Sequence, residues 1–282
     1  MKSERNVIMG YWNIVRKFDA HVHVIPEEKR QELIKNYGET ASWSKANVNI
    51  LLGNMDQFNI EKALLLPIND SKTFYDMNKT NEFIASIVSK APDRLFGFAD
   101  LIIKDAYGMY EGAEELEHAI KDLGLRGLKI HPSNLNIPAD DLRLIPVLRK
   151  AAELNVPVMY HSYPWGPGFY DMSSPDKINR MIKIFPDIKF ITAHLGGMRY
   201  MDAIRAVDMV DISVTIVELV ELYGIKITNN ILRKFGVERL IFGTDFPEFS
   251  YQKYFDILDQ MDFTQDEINQ IAYKNISNIL NL

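Results

Sequence analysis

The chain has 282 residues, 47% hydrophobic and 25% charged, with a net charge of -6. That length carries a large core, as one α/β barrel or two smaller domains, and the scattered acidic balance gives no basic footprint for nucleic acid. With no cysteine, disulfides, iron-sulfur clusters and thiolate nucleophiles are excluded, so chemistry and metal binding fall to His, Asp, Glu and Lys.

Taken in order, the apolar stretch from Val7 to Val15 is not read as a signal sequence. Glu4 occupies the would-be basic region and no small-x-small cleavage pattern follows. No run approaches the roughly 20 apolar residues of a membrane span, so the expectation is a soluble, cytoplasmic protein acting on a small molecule. Phe18-Asp19-Ala20-His21-Val22-His23-Val24 reads as the first strand. Two histidines one residue apart project from the same side of a strand, where one ion can take both. The alternative is a half-buried strand whose imidazoles bond to backbone.

Pro26-Glu27-Glu28 opens a helix, a second runs from Ser42 to about Phe58, and Ala63 to Pro67 is a buried strand. The alternation continues: helix 78–90, strand 95–99; helix 111–123, strand 127–132; helix 140–154, strand 156–161; helix 175–185, strand 188–194; helix 201–207, strand 210–214. A helical stretch near 227–235, a strand at 239–245 and helices over 251–261 and from 264 to the end close the chain. Eight continuous apolar strands separated by helical patterns predict a closed (β/α)8 TIM barrel. It is read as a single domain over 1–282, with residues 1–16 as an N-terminal extension and an extra C-terminal helix. An open doubly wound sheet would offer a glycine-rich turn after its first strand, where this chain has His-x-His.

In a barrel, catalytic groups sit at the C-terminal ends of the strands. His21 and His23 end the first predicted strand, His131 the fourth, His161 the fifth, His194 the sixth and Asp245 the eighth. Five of the six histidines thus surround one mouth, and only His118, on the polar side of a helix, is read as solvated surface. Imidazoles with a carboxylate match zinc, manganese or iron.

These residues resemble the amidohydrolase superfamily of metal-dependent barrels, in the branch that includes aminocarboxymuconate semialdehyde decarboxylase. The resemblance rests on Asp19-Ala20-His21-Val22-His23, Gly127-Leu128-Lys129-Ile130-His131-Pro132, His161, Ala193-His194-Leu195-Gly196-Gly197 and Gly243-Thr244-Asp245-Phe246-Pro247. It implies that His21, His23, His161 and Asp245 ligate one divalent metal, most simply zinc with manganese or iron as alternatives. His194 and Asp245 would then serve as acid/base groups beside it. Dinuclear relatives carry a carboxylated lysine on the fourth strand, which makes Lys129 a candidate bridge; its other reading is an ion pair with a carboxylate such as Asp19. For His131, substrate contact is preferred over support of a ligand or metal binding. The loop Tyr163 to Tyr170, with Trp165, reads equally as a cover that stacks on a planar ligand and as a packed surface loop stiffened by proline, and Arg199 either meets a substrate carboxylate or is solvent exposed or salt bridged at a helix start. Glu248 follows Asp245 closely enough to reach the rim, but its preferred reading is an acid at a helix start.

The leading functional expectation is a metal-dependent hydrolase in which activated water attacks an amide, ester or lactone. The alternative is a nonoxidative decarboxylase of a planar carboxylic acid on the same site, and a third reading is a barrel that only binds its ligand. A homodimer is the expected partner state, with residues 1–16 covering the base of the barrel or meeting a second subunit.

Overall fold

The computed structural model describes residues 10–70, 73, 76–103, 108–163 and 171–282. Among them are eight strands: β1 (Lys17–Val22), β2 (Ile60–Leu65), β3 (Leu95–Gly97), β4 (Leu128–Ile130), β5 (Val158–Tyr160), β6 (Phe190–Thr192), β7 (Met209–Asp211) and β8 (Leu240–Ile241). All pair in parallel, β1 to β3 in one run and β4 to β8 in another. Two single bridges join the runs into a ring, Ala99 with Leu128 and Val22 with Phe246. At the second seam Ala20 N donates to Phe242 O (3.0 Å), Asp245 N to His21 O (2.8 Å) and His23 N to Phe246 O (2.8 Å). The fold is the (β/α)8 barrel that the alternation predicts.

Apolar side chains of the strands fill the ring, among them Phe18, Leu64, Phe96, Met159, Ile191 and Ile241. Ile276, Ile279 and Leu280 pack on this layer from the C-terminal helix Asn275–Leu280. A second, larger cluster lies between the strands and the surrounding helices. The helix starts are written locally: Asn47 accepts from Asn49 N, Asp76 from Asn78 N, and Thr264 and Glu267 form a reciprocal capping box.

Several boundaries differ from those expected. The helix read from Ser42 to Phe58 is a 3-10 turn, Ser42–Lys45, then a helix, Val48–Gln57, because the chain is extended at Asn47. The stretch placed near 227–235 begins at Thr215 and runs to Phe235, interrupted at Gly224 with φ 76°. That glycine breaks the helical period which would have shown its first half. In the N-terminal extension, the described part forms a short helix, Tyr11–Ile14. Trp12 is fully buried with its ring 5.7 Å from Phe242, and its backbone N–H donates to Asp259. Lys17 at the start of β1 donates to Trp12 O and Val15 O, both at 2.7 Å.

Candidate active site

The register of β1 against β2 slips between Asp19 and Val22, so that three steps on β1 answer two on β2. Such a bulge changes which residues face a given side. Asp19 is thereby committed to the seam, accepting from His21 N (3.2 Å), Thr244 N (3.0 Å), Thr244 Oγ1 (2.6 Å) and Tyr251 Oη (2.9 Å). The expected pairing of Lys129 with Asp19 therefore fails; the charges that act on Lys129 are those of Asp211 and Asp245. Beyond the slip, His21 and His23 line the cleft. Gly243 leaves them room, since a Cβ at that position would stand 3.1 Å from His21 Cβ.

Hydrogen bonds fix which ring nitrogen of each histidine carries the proton. His21 Nδ1 lies 2.9 Å from Asp211 Oδ2 and His23 Nδ1 lies 2.7 Å from Leu66 O. Both partners only accept, so both Nδ1 atoms donate and both Nε2 atoms are left with a lone pair. Those lone pairs turn on a third acceptor: Asp245 Oδ1 is 3.1 Å from His21 Nε2 and 2.9 Å from His23 Nε2. Three acceptors converging in a buried place repel one another unless a cation or proton lies between them. The donor set, two imidazoles and a carboxylate, fits a divalent ion such as zinc or manganese. Burial, then the Lys129 charge, push the pKa of His21 down to about 3, which keeps the ring neutral and able to ligate. Lys129 Nζ is 3.4 Å from His21 Nε2, a long contact, and burial lowers its own pKa to about 8.

His161 stands apart from that trio. Its Nε2 donates to Tyr163 O at 3.2 Å, and its Nδ1 lies 3.1 Å from His194 Nε2. His194 Nδ1 donates to Ser213 Oγ at 2.8 Å, because the Ser213 hydroxyl is itself given to Asp211. His194 Nε2 and His161 Nδ1 are thus a second pair of facing lone pairs, which a shared proton or a cation satisfies. Burial lowers the pKa of both rings.

Asp211, at the end of β7, is the residue that reading the sequence left inside a strand without a role. Its carboxylate is fully buried and accepts from His21 Nδ1, His194 N (3.1 Å), Ser213 N (3.0 Å) and the Ser213 hydroxyl. Burial works against its charge, but His21, His194 and Ser213 outweigh that and hold its pKa below the usual carboxylate range. Since every neighbour donates to it, Asp211 orients the histidines and is not a ligand in its own right. An acid and a serine at alternate positions of an apolar strand, Asp211-Ile212-Ser213, were the clue. His194 and Asp245 both sit in the left-handed region, φ 59° each. Such residues cost about 1 kcal/mol or more apiece and cluster at functional sites. Here His194 N is tied to Asp211 and Asp245 N to His21 O.

The cleft above these groups is also lined by Lys129, His131, Ile68, Asn134, Trp43 and Glu248. His131 lies flat on His161, ring centroids 3.6 Å apart at 12°, and its backbone N donates to Asn69 Oδ1 at 2.5 Å. Trp43 stacks on His23 at 5.5 Å and donates its indole N–H to Glu248 Oε1 at 2.5 Å. Glu248 borders the cleft, the second of its two readings, and the helix after it starts at Tyr251. Burial raises its pKa, the Trp43 bond opposes this, and the Asp245 charge adds to the rise. Arg199 is not among the residues lining the cleft: it is held by Asp202 (2.8 Å) and Asp176 (2.9 Å). Trp165 lies outside the described residues. His118 is on a surface helix, paired with Asp122 at 2.7 Å.

A profile of the amidohydrolase family matches residues 18–282. The chain belongs to that family. No curated relative matches it significantly. Among solved structures it is similar to a TIM-barrel protein from Bordetella bronchiseptica (18% identity, TM-score 0.75, covering 95% of this chain and 99% of that one). A dihydroxybenzoic acid decarboxylase from Polaromonas, with bound manganese and 2-nitroresorcinol, is 18% identical with a TM-score of 0.73, covering 94% and 97% of the two chains. A probable 2-pyrone-4,6-dicarboxylic acid hydrolase from Acinetobacter baumannii is 19% identical with a TM-score of 0.70, covering 95% and 100%. At these identities the likeness carries the fold. Family membership makes this amidohydrolase an enzyme with a divalent metal and a small-molecule substrate. Among the described residues no helix is long and apolar enough to cross a membrane.

Proposed function

We propose that this amidohydrolase removes carbon dioxide, without oxidation, from a small planar carboxylic acid. The observation that carries the reading is a cleft walled by ring faces, Trp43 against His23 and His131 against His161, beside a buried His194 fit to carry a proton. A divalent ion held by His21, His23, His161 and Asp245, zinc or manganese by its ligands, would supply the positive charge that draws a carboxylate to the base of the cleft and steadies electron density as the carbon-carbon bond breaks. His161, which stands apart from the other three here, would complete the set with the buried Nδ1 lone pair that faces His194 Nε2 at 3.1 Å. His194, with its Nδ1–H fixed by Ser213, takes a proton at Nε2 and gives it to the ring carbon that loses the carboxylate. His131 lies flat against the His161 ring and holds it in place, and Lys129 adds positive charge at the base. The solved structures similar to this chain include several decarboxylases of dihydroxybenzoate and 5-carboxyvanillate, which supports the same reading.

Hydrolysis, the first expectation from sequence, is the second reading. It is supported by the likeness to the 2-pyrone-4,6-dicarboxylic acid hydrolase. The test is to load the protein with manganese or zinc and follow carbon dioxide release from hydroxybenzoates beside ring opening of lactones and cleavage of amides. Carbon dioxide from a ring acid, lost in His194→Ala, is the expected result. Turnover confined to lactones or amides overturns it in favour of hydrolysis.

A further inference from the structure

The cleft is electrically lopsided from base to rim. At its base His21 and Lys129 are each 1% exposed, and among the described residues lining it Lys129 is the one ammonium or guanidinium group. With a divalent ion beside it, all the positive charge lies deep. At the rim, where the lining residues are half-buried, stands Glu248. Its position is fixed from two sides: the indole N–H of Trp43 and the hydroxyl of Ser42 bond its carboxylate, and its backbone N donates to Asp245 O at 2.9 Å. Trp43 is held in turn by stacking on His23.

Resting on the decarboxylase reading above, we infer that Trp43 and Glu248 are a selectivity device. They admit a ring acid with one carboxylate and a hydrogen-bond donor, such as a hydroxyl or amine, at its outer edge, and they reject ring diacids. The ring lies against Trp43 while its carboxylate goes to the base. An outer hydroxyl finds an acceptor in Glu248, whereas an outer carboxylate meets a like charge in a partly dehydrated place, and like-charge juxtaposition is among the stronger forms of discrimination. No cation at the described rim offsets it: Arg199, the residue expected to take a substrate carboxylate, is bound to Asp176 and Asp202 away from the cleft.

The experiment is a binding measurement on manganese-loaded protein in near-neutral buffer, by calorimetry, with 3-hydroxybenzoate and benzene-1,3-dicarboxylate. The two probes share the carboxylate meant for the base and differ in the outer group. The parent protein is expected to prefer the hydroxy acid by about tenfold or more. Glu248→Gln keeps an acceptor for Trp43 and removes the charge, so the preference collapses, mainly through tighter binding of the diacid. Trp43→Phe retains the charge and the preference while weakening both acids, which separates charge from packing. An unchanged ratio in Glu248→Gln, or failure of both acids to bind below about 10 mM, overturns the inference. Because the readout is binding, absence of carbon dioxide release with the ratio intact would overturn the reaction assigned above and leave the selectivity standing.

Discussion

Replacing Asp211 with Asn tests whether the tautomer of His21 is set from behind. The four groups bonded to Asp211 are all donors: Oδ2 takes His21 Nδ1–H, and Oδ1 takes His194 N, Ser213 N and the Ser213 hydroxyl. An asparagine has one acceptor oxygen, so its NH2 group must confront either His21 or two backbone N–H groups. Facing His21 is the cheaper choice because imidazole can move its proton. The ring would then carry hydrogen on Nε2, the atom 3.1 Å from Asp245 Oδ1, and lose the lone pair that a metal needs. Loss of such an outer hydrogen-bond partner lowers metal affinity about 10- to 100-fold, or roughly 1.4 to 2.7 kcal/mol. Loss of the buried charge-assisted bonds costs about 1–3 kcal/mol of stability in metal-free protein. Competition with a chelator of known affinity, followed by metal analysis, measures the first; urea unfolding in chelator measures the second. A variant that binds metal within about threefold of the parent would show that Asp211 does not control the His21 proton.

Removing the metal with chelator is expected to lower the unfolding temperature, since a ligand at 100 times its dissociation constant adds about 2.7 kcal/mol; His21→Ala should abolish that difference in differential scanning calorimetry while remaining folded. Tyr251→Phe takes one of four donors from the buried Asp19 carboxylate and should cost about 1–2 kcal/mol in urea unfolding, with metal stoichiometry unchanged. Lys17 supplies a pH test: burial lowers its pKa from 10.5 to about 7 in the folded protein. The unfolded chain therefore binds more protons between those values, and stability should rise across that window by up to about 1.36 kcal/mol per pH unit from this group. Lys17→Met should lose that slope relative to the parent when unfolding is followed from pH 7 to 10.

What was legible in the sequence was whatever repeats or converges. The strand ends at His21, His131, His161, His194 and Asp245 were readable because each follows an apolar run, and a ring of parallel strands has one chemically active rim. Asp211 and Ser213 fell within such a run and looked like strand interior, since a pattern of apolar residues says nothing about which buried acid is needed behind a ligand. The slip in β1 was equally hidden: alternation places Asp19 with His21 and His23, and only the register against β2 turns it toward Thr244 and Tyr251. Trp43 and Glu248, 205 positions apart, meet only once the ring is closed. Family resemblance named ligands by position, yet could not tell that Arg199 has its own acidic partners, because these lie on a neighbouring helix as well as its own.

The seam between β1 and β8 has a consequence for how the protein is made. Its backbone bonds run through Ala20, His21 and His23 on one edge and Phe242, Asp245 and Phe246 on the other, so that His21, His23 and Asp245, which line the cleft, are themselves part of the seam. A nascent chain emerging from the ribosome displays its paired imidazoles early, but the carboxylate that would complete a cage for an ion arrives more than 200 residues later. Stray cations met during synthesis thus find only half a grip, and tight capture is deferred until the last strand has docked.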